Sequence, residues 1–185
     1  NPLIGHMQHN MRDPNRDHGH GRVYRVTCKG RPLVKPAKMR GKPIAEVCDN
    51  FFSKEKSTRY RARLELSGRK PEEIKAEVGA YTAKLSPAKA SRDRNEAQAL
   101  LECLWVFEEQ RIPHPELPGK VFQAEDPRVR AAAIRTLGHW AGKFVGFEET
   151  LISASRDDSA LVRAEALKAA VEFKGLVSAE VIFEV

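Results

Sequence analysis

Cysteine is scarce in this chain, with three residues in 185, at positions 28, 48 and 103. The spacing contains no Cys-x-x-Cys and no Cys-x-x-Cys-His, which excludes a zinc ribbon and a covalent haem attachment within these residues. Three unpaired thiols are the expectation, a single disulfide the alternative. Long apolar runs are also missing. No stretch approaches the roughly 18 to 20 apolar residues of a membrane span, and no charged start leads into an apolar run with a small-residue cleavage site, so no signal peptide is visible. A nucleophile elbow, a phosphate-binding glycine loop and a His-Glu-x-x-His pair are equally lacking, and a complete active site is not expected.

What is present is unevenly spread. Residues 1–40 carry nine Lys/Arg against two Asp, while residues 41–185 carry 23 of each sign, so the formal net charge of +7 sits in the first segment. Four of the six histidines are there too. A basic balance invites a nucleic-acid reading, because Lys and Arg gain affinity by displacing counterions from phosphates. The neutral balance of 41–185, and the interleaving of Asp13, Asp17 and prolines with the N-terminal cations, argue against it.

Residues 1–20 are rich in Asn, Asp, Gly, Pro and His and show no period, the texture of a loop. Arg22 to Cys28 then alternates charged and apolar side chains, which predicts a short half-buried strand. A lone strand is not stable, so it needs a partner elsewhere or a surface to lie on. Residues 29–42 read as a basic connector punctuated by Gly30, Pro32, Pro36 and Gly41. From Pro43 the pattern is helical. Ile44, Val47 and Phe51 fall three and four apart, Ser57 is a candidate N-cap for Arg59 to Leu66 with Gly68 as its stop, and Pro71 opens a helix over 72–85.

The helical part repeats. Glu125 to Trp140 aligns with Asp158 to Phe173 at a constant offset of 33, placing Val129, Arg130, Ala133, Ile134 and Trp140 over Val162, Arg163, Ala166, Leu167 and Phe173. The same texture recurs loosely at Asn95–Trp105 and Tyr60–Leu66, and shorter apolar helices near 116–124 and 147–154 complete helix-turn-helix units. A narrow apolar stripe with small alanines cannot be buried within one unit, so successive units stack. The expected fold is therefore mainly α, a HEAT-like α-solenoid preceded by a loop and strand. Asp126 and Arg130, four apart beside Pro127, suggest an exposed intrahelical ion pair.

These motifs carry a family likeness. The succession of Gly5 to Val26, ending in Gly21-Arg-Val-Tyr-Arg25, then Arg31 to Pro36, Tyr60 to Gly68 and Leu101 to Trp105, resembles the middle of large membrane-bound dehydrogenases of planctomycete-type bacteria. In that family a propeller similar to glucose/sorbosone dehydrogenases precedes HEAT-like repeats, and a c-type cytochrome domain comes last. The resemblance implies that residues 1–28 are the last propeller loop and strand, 29–42 the connector and 43–185 the helical repeats. It further implies a periplasmic or secreted location, and haem c with a quinone cofactor in the full-length proteins though none within this chain. The chain then joins a sugar- or alcohol-oxidising propeller to the cytochrome, and its partners are those missing domains or another protein.

Several polar residues are candidates for chemistry. His6 and His9, and His18 and His20, have spacings at which two imidazoles meet one metal or haem. Arg12 and Arg16 offer bidentate donors to a carboxylate of a cofactor or sugar substrate. The competing reading is an ordered polar loop whose side chains fix turns. No metal is assigned, and the segment as a contributor to a dehydrogenase site remains the alternative to a purely structural module. His114, His139, Trp105 and Trp140 are expected to be structural.

Overall fold

Apolar side chains at three- and four-residue spacing decide the architecture, and the computed structural model carries them on helices, with no strand among the described residues. Those residues are 19, 21, 23–30, 32, 33, 35–86, 92–143, 147–173 and 176–184. The chain divides into two units, Asn1–Lys35 and Pro36–Val185.

In the first unit the predicted strand does not form. Val23 and Val26 stand 102% and 97% exposed, and residues 23–28 pair with nothing as a ladder. Period-two alternation supplies a face but no neighbouring strand, and without one the backbone groups stay with water.

The second unit begins with residues 36–42, which pack against its early helices. Met39 is buried, Gly41 N–H donates to Glu65 Oε1 at 3.2 Å, and the Ala37 and Lys42 carbonyls accept from Arg61 and Arg69. Helix α1 (Ile44–Cys48) tightens into a 3-10 turn at Asp49–Phe52, burying Ile44, Val47 and Phe51. Helix α2 (Lys56–Ser67) comes next, with Glu55 at its N-cap position and Gly68 ending it as expected; Ser57 lies inside the helix and does not cap it. Residues 71–84 form a continuous helical run, made of α3 (Pro71–Glu73), a π-helical stretch at Ile74–Val78 and α4 (Gly79–Lys84). The wider turn lets Ile74, Val78 and Tyr81 all reach the interior, where the Tyr81 hydroxyl donates to Asp49 Oδ1 at 3.1 Å.

Helix α5 (Arg94–Glu109) is the longest and is buried along most of its length. It ends with a Schellman arrangement, Arg111 N–H to Glu108 O and Ile112 N–H to Phe107 O, with Arg111 at φ 56° where glycine is the usual residue. Two helix pairs and a last helix complete the unit: α6 (Leu117–Phe122) with α7 (Pro127–His139), α8 (Glu148–Ser155) with α9 (Ala160–Glu172), then α10 (Leu176–Glu184).

The 33-residue period runs one step further than the two aligned copies. The N-cap positions of α5, α7 and α9 are Asp93, Asp126 and Ser159. Seven residues on, Leu100, Ala133 and Ala166 are completely buried, and four beyond that so are Leu104, Leu137 and Ala170. Each buried leucine contributes about 1.5 to 3 kcal/mol relative to exposure. Where α7 meets α9 the side chains shrink, and a Cβ added at Gly138 would come within 3.0 Å of Ala169 Cβ and 3.1 Å of its Cα. Glycine is needed there for close approach.

A second register accompanies the first. Arg59, Arg130 and Arg163, each four residues past an N-cap position, donate from Nη1 to the carbonyls six and five residues earlier. The arginine thus ties the turn before each helix to the helix body. The expected Asp126–Arg130 pair is not made. Asp126 caps Arg128 N–H and binds the Arg128 guanidinium, while Arg130 makes a bidentate pair at 2.8 Å with Asp157, in the turn between α8 and α9. Arg130 satisfies two carbonyls and a carboxylate at once by reaching outward, which the intrahelical geometry would not allow.

Candidate interaction surface

Helices α2, α5 and α7 lie side by side, and together they line an open groove of about 820 Å³. The phases that face neighbouring helices are apolar, and the adjacent phase, which borders the groove, mixes charged side chains with Leu101, Trp105, Val129 and Ala132.

Each seam along this face is bridged by a hydrogen-bonded carboxylate. Between α2 and α5 it is Glu102, only 3% exposed, which accepts from Arg59 Nε at 2.9 Å, Arg63 Nη1 at 3.0 Å and Gln98 Nε2 at 2.8 Å. Between α5 and α7 it is Glu108, whose oxygens meet Thr136 Oγ1 at 3.1 Å and His139 Nδ1 at 2.6 Å. Between α7 and α9 it is Glu165, held by Arg135 through two bonds and by Lys168 at 3.0 Å. These hydrogen bonds hold the Glu165 carboxyl below its ordinary range.

The Arg63 guanidinium carbon sits 4.8 Å from the Trp105 ring centre and 5.7 Å from that of Tyr60, two cation–π contacts. Its Nε lies 3.4 Å from Glu109 Oε1, an ion-pair distance without hydrogen-bond geometry, and is buried with no other acceptor. Burial raises the Glu109 carboxyl, and Glu102 and Glu108 reinforce the rise against the lowering effect of Arg63. At the opposite end of the groove Asp126 is held down at about 2, chiefly by its hydrogen bond from Arg128. Arg94 reaches the same carboxylate at 3.6 Å.

The residues singled out from sequence are distributed differently. His6, His9, Arg12, Arg16, His18 and His20 all lie outside the described residues. His114 is structural: its Nδ1 accepts from the Glu116 and Leu117 N–H groups at the start of α6, and its ring packs edge-on to Phe107. Burial pushes its pKa down, in keeping with a neutral acceptor. Trp140 is buried in the core, and Trp105 is partly buried beside Arg63. His139 is exposed and, among the described residues, bonded to Glu108. Cys48 and Cys103 are unpaired and buried; burial raises the Cys48 thiol to about 12 and Cys103 well above its usual value, so neither offers a thiolate nucleophile.

The seam residues escaped the sequence reading because their partners are 28 to 43 positions away. Among the described residues no group of three or more His, Cys, Asp or Glu is placed to hold a metal, and no helix is long and apolar enough to cross a membrane. The groove's polar groups are directed at one another across the seams, an arrangement suited to fixing helices and presenting a surface. Comparison with protein-family models, curated proteins and solved structures finds no match to this chain.

Proposed function

We propose that the helical unit is a HEAT-like repeat scaffold of a larger periplasmic oxidoreductase, holding a sugar- or alcohol-oxidising propeller and a c-type cytochrome at fixed separation. The observation that carries the scaffold part is the recurrence of N-cap positions at 93, 126 and 159 with the same buried register behind each. Units that share caps and buried phases stack without limit on length, which is what a spacer requires. The oxidoreductase context is supported by the ordered succession of motifs from Gly5 to Trp105. A nucleic-acid role draws no support from a groove whose seams are carboxylate-bridged.

The test uses the protein as its native gene encodes it. Gly138→Val, which forces α7 and α9 apart, is expected to slow haem reduction by substrate while leaving substrate oxidation by a soluble dye intact. Unchanged haem reduction, or a protein with no haem spectrum, overturns the proposal. Redox difference spectra of the 185-residue chain alone are expected to be featureless; a bound haem or quinone signal there would show that it is more than scaffold.

A further inference from the structure

The 33-residue period lets one helix be compared with the next at equal positions. Carried forward by 33, Ala131, Ile134, Arg135 and Gly138 of α7 become Ala164, Leu167, Lys168 and Val171 of α9. On α7 this stripe belongs to the seam with α9: Gly138 closes on Ala169, Arg135 reaches across to Glu165, and Ala131 and Ile134 are buried. On α9 the same stripe is open. Ala164 is exposed, Leu167 half-buried and Val171 76% exposed, and Lys168 turns back to Glu165 on its own helix. These exposures hold with α10 in place, so α10 does not cover the stripe.

The arginine ties change in step. Arg59 and Arg130 each donate backward from Nη1 to the turn before their own helix and forward from Nε to a carboxylate further along the chain, Glu102 on α5 for Arg59 and Asp157 ahead of α9 for Arg130. Arg163 makes the backward bonds, to the Asp157 and Asp158 carbonyls, but its Nε and Nη2 meet no acceptor among the described residues. That free edge of the guanidinium is the one with which Arg130 holds Asp157, and it matches a carboxylate in the same bidentate manner.

We infer that the Ala164, Leu167 and Val171 stripe of α9 seats one further helix of the larger protein, a contact that rests on the scaffold reading above and extends it. The chemistry of that helix follows from the seam it continues. It has an apolar side with a small residue against Val171, because even at Gly138 an added Cβ would crowd Ala169, and it is preceded by a carboxylate for Arg163. It is a helix and not an extended segment because the stripe has the three- and four-residue spacing by which the ridges of one helix enter the grooves of another. A stripe on one helix offers much less than the roughly 800 Å² per partner of a stable pair of subunits. Supply from within the same polypeptide, at high effective concentration, makes so small a contact lasting.

The test is the reactivity of Val171→Cys toward a maleimide, read by peptide mass spectrometry in the 185-residue chain and in the protein as its native gene encodes it. Cys103 is buried and reports in each that the unit is folded by staying unlabelled. The substituted position is expected to react freely in the 185-residue chain and about a hundredfold more slowly in the longer protein. Adding Arg163→Gln is expected to speed that slow reaction about tenfold and to leave the rate in the 185-residue chain unaltered, where the position is already open. Arg163→Lys, which keeps the charge and loses the fork, is the milder variant and is expected to act in the same direction. Equal reactivity in the two proteins overturns the inference, as does protection that arises in the 185-residue chain or fades on dilution of the longer one, which would mark a second copy as the occupant. A slow reaction indifferent to both Arg163 variants overturns the carboxylate contact. If the position stays open while haem reduction still responds to Gly138→Val, only this seat falls; if that response is also missing, the scaffold reading falls with it.

Discussion

The α2–α5 seam and the α7–α9 seam solve one packing problem in opposite ways. Between α7 and α9 the helices close directly on each other, through Gly138, Ala169 and the alanines beside them, and the Arg135–Glu165 pair closes the edge. Between α2 and α5 a buried carboxylate is interposed, and two arginines, a glutamine and Trp105 are arranged around Glu102. The first seam adds shape, a dry close contact at Gly138, to its own buried carboxylate Glu165, whereas the second depends on charge completion around Glu102. Small side chains permit close contact only where the backbone is already in register, so the regular part of the repeat uses the dry seam, and the irregular early part uses a polar one. A buried carboxylate with three donors tolerates variable helix separation but fails if any member is removed.

The sharpest way to break the contrast is Glu102→Gln. It leaves the mostly buried Arg59 without its counter-charge and Arg63 with Glu109 alone, and urea denaturation is expected to show a loss of about 3 kcal/mol. Gly138→Val attacks the dry seam by overpacking and is expected to cost about 2 kcal/mol in the same assay. Gly138→Ala combined with Ala169→Gly tests whether the cost is contact between those two residues; recovery relative to Gly138→Ala alone is the expected outcome. Asp126→Ala removes the cap of α7 and is expected to cost about 1 kcal/mol. Because the folded Asp126 carboxyl sits at about 2 against an ordinary 3.8, its contribution is complete above about pH 4 and disappears as the pH falls through about 2. Asp126→Asn should flatten that part of the acid-unfolding curve. The smallest effect is expected for Arg135→Ala, about 0.5 kcal/mol, because Arg135 is more than half exposed and Lys168 still reaches Glu165.

The last two helix pairs were readable from sequence because Val129, Arg130, Ala133 and Ile134 recur with their chemistry intact at Val162, Arg163, Ala166 and Leu167. The earlier copy was obscured at α5, where Glu96 and Ala97 occupy the places of the valine and arginine; only Asp93 and the phase of Leu100 and Leu104 keep the register. The π-helical stretch at Ile74–Val78 left no mark, since its apolar spacing reads equally well as an ordinary helix. Arg130 was assigned to Asp126 because proximity in sequence was visible and proximity to Asp157 was not. The strand at 22–28 failed for the same reason in reverse: alternation describes one strand, while pairing belongs to two. The groove was illegible because its lining comes from three helices that are far apart in sequence.

The placement of the three cysteines bears on how this protein can be handled. Cys28 is exposed in the N-terminal unit, whereas Cys48 and Cys103 are buried with thiols held protonated. A maleimide dye added to the folded wild-type chain should therefore attach at one position, outside the helical unit, with no cysteine removed beforehand. The natural sequence already provides a single-site optical handle for following its partners.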